Sequence, residues 1–149
     1  MSLRALTRGA AAGAVATVAH TAVMATAARH GRLGEPPPKK ITRAALKRVA
    51  PEAAREPLTV WVATAASHLA FGAATGVAYA LLHPEPRPTL SSGLRFGSFV
   101  WLASYAGWVP ALGIMPMPAN DKRGRPSAML AAHWAFGATL VMTLRALRA

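Results

Sequence analysis

Cysteine is absent from the chain, which excludes disulfides, thiolate metal sites and cysteine nucleophiles. Acidic side chains are scarce: Glu35, Glu52, Glu56, Glu85 and Asp121 are the only five in 149 residues, against 17 Lys and Arg. Charge of either sign is missing from four windows, between Arg8 and Arg29, Glu56 and Glu85, Arg95 and Asp121, and Arg125 and Arg145, which run to 20, 28, 25 and 19 residues. With no carboxylate inside any window, paired acids for acid–base work have nothing to build them there. The windows also hold no Ser/His/Asp grouping, no phosphate-cradling glycine loop and no zinc-protease helix motif. These absences point away from an enzyme.

What is there is apolar: 53% of residues are hydrophobic and only 15% charged. An α-helix rises about 1.5 Å per residue and needs roughly 20 apolar residues to cross the hydrocarbon core, so each window can span a bilayer once. A soluble fold would have to bury four helices that are apolar all round, and a domain of this size has too little interior. The expected fold is all-α: a polytopic membrane protein with four transmembrane helices as two tandem helical hairpins, plus a short amphipathic connector helix. The expected helices are at about 9–28, 57–83, 93–110 and 126–145, with the connector at about 41–50, in a single domain of residues 1–149. Ala25-Thr26-Ala27 has the spacing of a signal-peptide cleavage site. The apolar stretch before it is longer than the usual signal core, and it is read as the first crossing.

The second and fourth windows share a repeat, His68-Leu69-Ala70-Phe71-Gly72-Ala73 against His133-Trp134-Ala135-Phe136-Gly137-Ala138. A weaker echo links Gly9 and Gly13 to Gly93 and Gly97, each pair followed by an apolar run and then a proline-rich basic segment. Two hairpins in the same orientation would make a parallel repeat. Association in lipid relies on close backbone approach, so Gly9, Gly13, Gly72, Gly76, Gly93, Gly97 and Gly137 are the expected helix-packing positions, within one chain or in a homo-oligomer.

The basic residues gather at the window ends, which assigns them to topology and lipid rather than to nucleic acid. The two connectors carry eleven, and the termini with the middle loop carry six. Positive-inside logic then puts both termini outside the cytoplasm. In the longer connector Ile41, Ala45 and Val49 share one helical face, while Lys39, Lys40, Arg43 and Lys47 are placed to meet lipid headgroups, anionic ones above all. The alternative is a solvated connector helix packed on the ends of the bundle. In the third window Trp101, Tyr105 and Trp108 recur at helical spacing, suited to the membrane interface or to a pocket wall, and Pro110, Pro116 and Pro118 stop a regular helix beyond Val109.

Apart from His83 at the very end of its window, three histidines lie inside the windows, and an ionisable group there is a functional candidate by default. Counted from the connector side, His20, His68 and His133 sit at depths of roughly 12, 15 and 9 Å, one layer of the bundle. With Ser104 they form the candidate polar intramembrane site. The bland role is interhelical hydrogen bonding to Ser67, Thr64, Ser104 or backbone carbonyls. The sharper roles are a histidine-lined proton or solute path in a small transporter or channel, or a haem or metal held by His68 and His133. No cofactor is required by the sequence. The tight packing expected beside Gly72 and Gly137, and the missing carboxylates, weigh against haem and metal.

Three segments together resemble a known family: Gly34-Glu35-Pro36-Pro37-Pro38-Lys39-Lys40-Ile41-Thr42, the His68…Gly72…Gly76…Tyr79 pattern, and Ser104-Tyr105…Trp108-Val109-Pro110. They are similar to small bacterial inner-membrane proteins of the YagU-like type. The resemblance covers nearly the whole chain and implies a four-helix membrane architecture in an uncharacterised family, without implying a mechanism. The leading expectation is a non-enzymatic structural or accessory component of the membrane.

Overall fold

The computed structural model describes residues 3–83 and 88–148; Glu85, a window boundary, and Arg87, one of the six basic residues of the termini and middle loop, lie outside them. Helices account for 81% of the chain, with no strand among the described residues. They are α1 (Leu3–Arg29), α2 (Pro37–Val49), α3 (Pro57–Leu82), α4 (Leu90–Ala103), α5 (Val109–Ala111) and α6 (Arg125–Arg148). A π-helical turn, Ser104–Trp108, joins α4 to α5, and a 3-10 turn, Pro118–Asn120, precedes α6.

The helix starts follow local chemistry. Pro37 and Pro57 open α2 and α3 at the position where a missing N–H is harmless and a fixed φ is already helical. The connector helix therefore begins at Pro37 rather than near Ile41. Thr89 caps α4, its hydroxyl accepting from the Ser92 N–H at 3.1 Å. After α1 the chain reverses through Gly31 at φ 71°, a conformation that would strain a residue carrying Cβ.

The four windows do not give four equal helices. α1, α3 and α6 are long and apolar enough to cross a membrane, but α4 is a 14-residue helix and is not. The reason lies in its C-terminal continuation. Pro110 has no N–H to give the preceding turn, and Gly107 takes a non-helical conformation, φ −111° and ψ −105°. A Cβ on Gly107 would stand 3.1 Å from the Leu102 carbonyl oxygen. The ladder widens into the π turn instead of running on.

α1 packs against both α3 and α6, and α6 packs in turn against α4, so the long helices form a row in the order α3, α1, α6, α4. Glycine permits the two outer pairings. Gly13 and Gly72 each face the other's carbonyl, as do Gly9 and Gly76, and as do Gly93 and Gly137; Gly97 faces the carbonyl of His133. A side chain at any of these would meet backbone. Gly76 occupies against α1 the place that Gly137 occupies against α4, whereas the sequence match aligns Gly72 with Gly137. The two crossings are thus offset by about one helical turn.

Two buried cores form along the row. One holds Ala12, Ala16, Tyr79, Phe96, Phe136, Leu140 and Leu144, toward the chain termini. The other holds Met24, Leu33, Tyr105, Val109, Met115 and Met129, toward the connectors. Large apolar side chains also cover the outside, among them Val18, Leu58, Trp61, Phe99 and Met142. An apolar exterior on this scale suits lipid rather than water.

The outer helices α3 and α4 meet at the loop end. There the Tyr79 hydroxyl lies 2.6 Å from Ser92 Oγ, and the Tyr79 ring meets Phe96 edge-on at 5.0 Å. Toward the connectors they part.

Candidate functional site

Between the two cores, where α1 steps from Ala16 to Met24 and α6 from Phe136 to Met129, the apolar packing gives way to imidazoles. His20 on α1 contacts both of the others: its ring centroid is 5.2 Å from that of His68 on α3 and 4.7 Å from that of His133 on α6, and both contacts are edge-on. Three helices thus bring the three sequence-chosen histidines into one cluster. The turn-long offset between the glycine crossings lets His68 and His133 reach His20 from different directions.

One of their hydrogen bonds goes to a backbone carbonyl, within a helix rather than between helices, and the other crosses to a hydroxyl not named above. His133 Nδ1 bonds to the Met129 carbonyl of its own helix at 2.7 Å. His68 Nδ1 lies 3.5 Å from Thr21 Oγ1 across the α1–α3 seam. Neither uses Ser67, Thr64 or Ser104. Those hydroxyls are engaged locally, Thr64 donating to the Val60 carbonyl, Ser67 to that of Thr64 and Ser104 to that of Val100. His20 is 5% exposed, and its Nδ1 has no partner among the described residues. A buried imidazole nitrogen without a partner is uncommon enough to need a reason.

The cluster forms the floor of a cavity of about 240 Å³ between the parted ends of α3 and α4. Phe71, Gly72 and Thr75 wall it on one side, and Val100, Ser104, Tyr105, Trp108 and Val109 on the other. Thr17, Met129 and Phe136 complete the floor, and Pro37, Pro38, Ile41 and Thr42 of α2 close the top. Phe71 and Trp108 line the cavity yet are 46% and 38% exposed, so they stand at its mouth. The π turn makes this wall. Widening the helix at Ser104–Trp108 turns Ser104, Tyr105 and Trp108 inward together, and π turns recur at functional sites.

Ser104 therefore belongs with the histidines, at the cavity wall. The packing glycines lie in the helix crossings beyond the floor. Of the basic residues on α2, Arg43 forms an ion pair with Glu35, Lys39 and Lys40 are half-buried, and Lys47 is exposed. α2 is docked on the bundle, its Thr42 hydroxyl 3.1 Å from Ser67 Oγ on α3 and its Ile41 against the connector-end core.

Sequence reasoning missed the support beneath this wall. Asp121 entered the sequence reading only as a window boundary, but its side chain is 2% exposed and that of Arg125 is 8% exposed. Arg125 Nη1 donates to Asp121 Oδ1 at 2.6 Å, while its Nε and Nη2 donate to the Leu33 carbonyl at 2.9 and 2.6 Å. The Tyr105 hydroxyl donates to Asp121 Oδ2 at 2.5 Å. One buried ion pair therefore ties the π turn, the start of α6 and the α1–α2 connector together. The only sequence signal was the i, i+4 spacing of Asp121 and Arg125.

Among the described residues no group of three His, Asp or Glu is placed to hold a metal ion. The rings meet edge to face, and His20 fills the space that a macrocycle between His68 and His133 would need. On the far side of the floor lie the glycine crossings and the buried Ala12, Ala16 and Leu140.

No curated protein and no solved structure matches the chain. A protein-family model does match, over residues 3–149, and it is a different description from the YagU-like resemblance. The chain belongs to that family, the family of unknown function DUF6789.

Proposed function

We propose that this is a four-crossing integral membrane protein that binds a small, mostly apolar molecule taken from the bilayer, acting as an accessory component rather than an enzyme. α1, α3 and α6 are three of the crossings. The interrupted segment from Leu90 to Ala111 supplies the fourth, about 33 Å if it keeps a helical rise throughout. The observation that carries the reading is the cavity itself: apolar walls, a mouth between Phe71 and Trp108, and a floor of three imidazoles. Pockets that are apolar with a few converging polar groups are the usual form of a small-molecule site. A floor backed by glycine crossings and buried side chains favours a binding pocket over a proton or solute path through a single chain.

In this reading the protein sits in a bacterial inner membrane with both termini non-cytoplasmic. Gly31 O accepts from Lys122 Nζ at one end of the bundle, and Pro88 O accepts from Arg145 Nε at the other. That sorting keeps the richer set of basic residues on the connector end, the end the positive-inside rule assigns to the cytoplasm. There Lys39, Lys40, Arg43 and Lys47 would meet anionic headgroups.

Photolabelling in lipid nanodiscs with an alkyl diazirine tests the cavity. The expected result is saturable adduct formation on Phe71, Thr75 and Trp108 that is lost in Ser104→Phe, which fills the space, while the circular dichroism spectrum is unchanged. Labelling that rises without saturation and falls equally on the outer residues Trp61 and Leu102 would overturn the reading.

A further inference from the structure

The hydrogen bonds around the cluster fix what the floor offers. His133 Nδ1 must donate to the Met129 carbonyl, since an oxygen without hydrogen can only accept. The Thr21 hydroxyl spends its proton on the Thr17 carbonyl at 2.8 Å, so its oxygen accepts from His68 Nδ1. In a neutral imidazole the second nitrogen is then an acceptor. Among the described residues no donor reaches Nε2 of either ring. Ser104 and Thr17, the nearby hydroxyls of the wall and floor, have both committed their protons to backbone carbonyls, at 2.6 and 2.8 Å. The floor therefore presents two unpaired acceptors, with the single N–H of His20 as its uncommitted donor, inside a largely apolar cavity.

From this we infer that the cavity selects a membrane-dissolved molecule with a hydroxyl head on an apolar body, an alcohol or a phenol, whose O–H donates to the imidazole Nε2 of His68 or His133. An ether or ester of the same shape can only accept, so it leaves Nε2 of both His68 and His133 unpaired. A charged head would meet no counter-ion, because Asp121 and Arg125 are spent on each other. The inference rests on the binding reading above.

The test compares 4-hexylphenol with 4-hexylanisole, which differ by methylation of the one O–H, at equal mole fraction in nanodiscs with occupancy read by native mass spectrometry. The phenol is expected to bind about tenfold more tightly or better, the scale of one hydrogen bond whose loss leaves a buried acceptor unpaired. His68→Leu with His133→Phe should bring the two ligands to equal affinity. Thr21→Val, which frees the His68 tautomer without touching the fold of the floor, should narrow the gap, and His68→Gln, which keeps an acceptor, should preserve most of it. If the double variant does not fold, the Thr21 and His68 single variants decide the matter. Equal binding of phenol and anisole to the wild type would overturn this inference and leave the cavity reading standing. Binding of neither would overturn both.

Discussion

Replacing Asp121 with Asn leaves the shape of the side chain and an oxygen for the Tyr105 hydroxyl, but removes the charge that Arg125 faces. The guanidinium stays where it is, its side chain 8% exposed, held by two bonds to the Leu33 carbonyl and with no anion opposite. Breaking one side of a buried pair costs about 3–5 kcal/mol, mostly because a buried charge is left uncompensated. For a chain of this length each kcal/mol lowers the unfolding midpoint by about 2–4 °C, so Asp121→Asn should unfold roughly 6–20 °C below wild type in the same detergent. Thermal circular dichroism reads the shift. Arg125→Met should fall in the same range, because it leaves the Asp121 carboxylate buried and the Leu33 carbonyl short of a donor. The double variant removes both charges, and it should be clearly more stable than the sum of the two single losses would allow. Strict additivity, or an Asp121→Asn protein within about 1 kcal/mol of wild type, would refute the idea that this pair is a buried, mutually dependent unit.

The glycines divide into two kinds. Gly13→Ala puts a methyl against the Gly72 carbonyl, and loss of the folded helix pairing is expected by circular dichroism and size-exclusion chromatography. Gly31→Ala meets open space but keeps a positive φ, so a loss of only about 1 kcal/mol is expected in thermal unfolding. Ser98→Ala removes the acceptor of the Trp134 indole N–H, a bond between α4 and α6 of 2.9 Å, and a loss of about 0.6 kcal/mol is expected in the same assay. Arg55→Ala deletes an ion pair with Glu52 that is largely solvated, and the unfolding midpoint should not move measurably.

Much of the architecture was legible because charge is so unevenly distributed. The windows between Arg8 and Arg29, Glu56 and Glu85, and Arg125 and Arg145 became α1, α3 and α6, since an uncharged apolar stretch of that length has few other uses. Glycine spacing marked the crossings, and simple depth counting brought the three histidines together. The third window was misjudged because hydropathy is blind to the ladder. Pro110 announced a stop, but nothing in the composition says that the turn before it widens at Gly107 and faces Ser104, Tyr105 and Trp108 into a cavity. Asp121 was missed for a related reason. A carboxylate in a polar turn reads as solvated unless its partners are known, and one of those partners, the Leu33 carbonyl, is a backbone group supplied from far away in the chain.

The row order α3, α1, α6, α4 has a consequence for biogenesis. His20 and Thr17 enter with the first helix, while His133, Met129 and Phe136 arrive with the last. A ribosome that has delivered α1 to α5 has made most of the cavity walls, yet half of its floor is still missing and His20 still faces whatever surrounds α1. The site is closed only by the final helix, so a chain truncated before Arg125 would leave His20 with His68 alone and without the His133 ring that otherwise meets it edge-on.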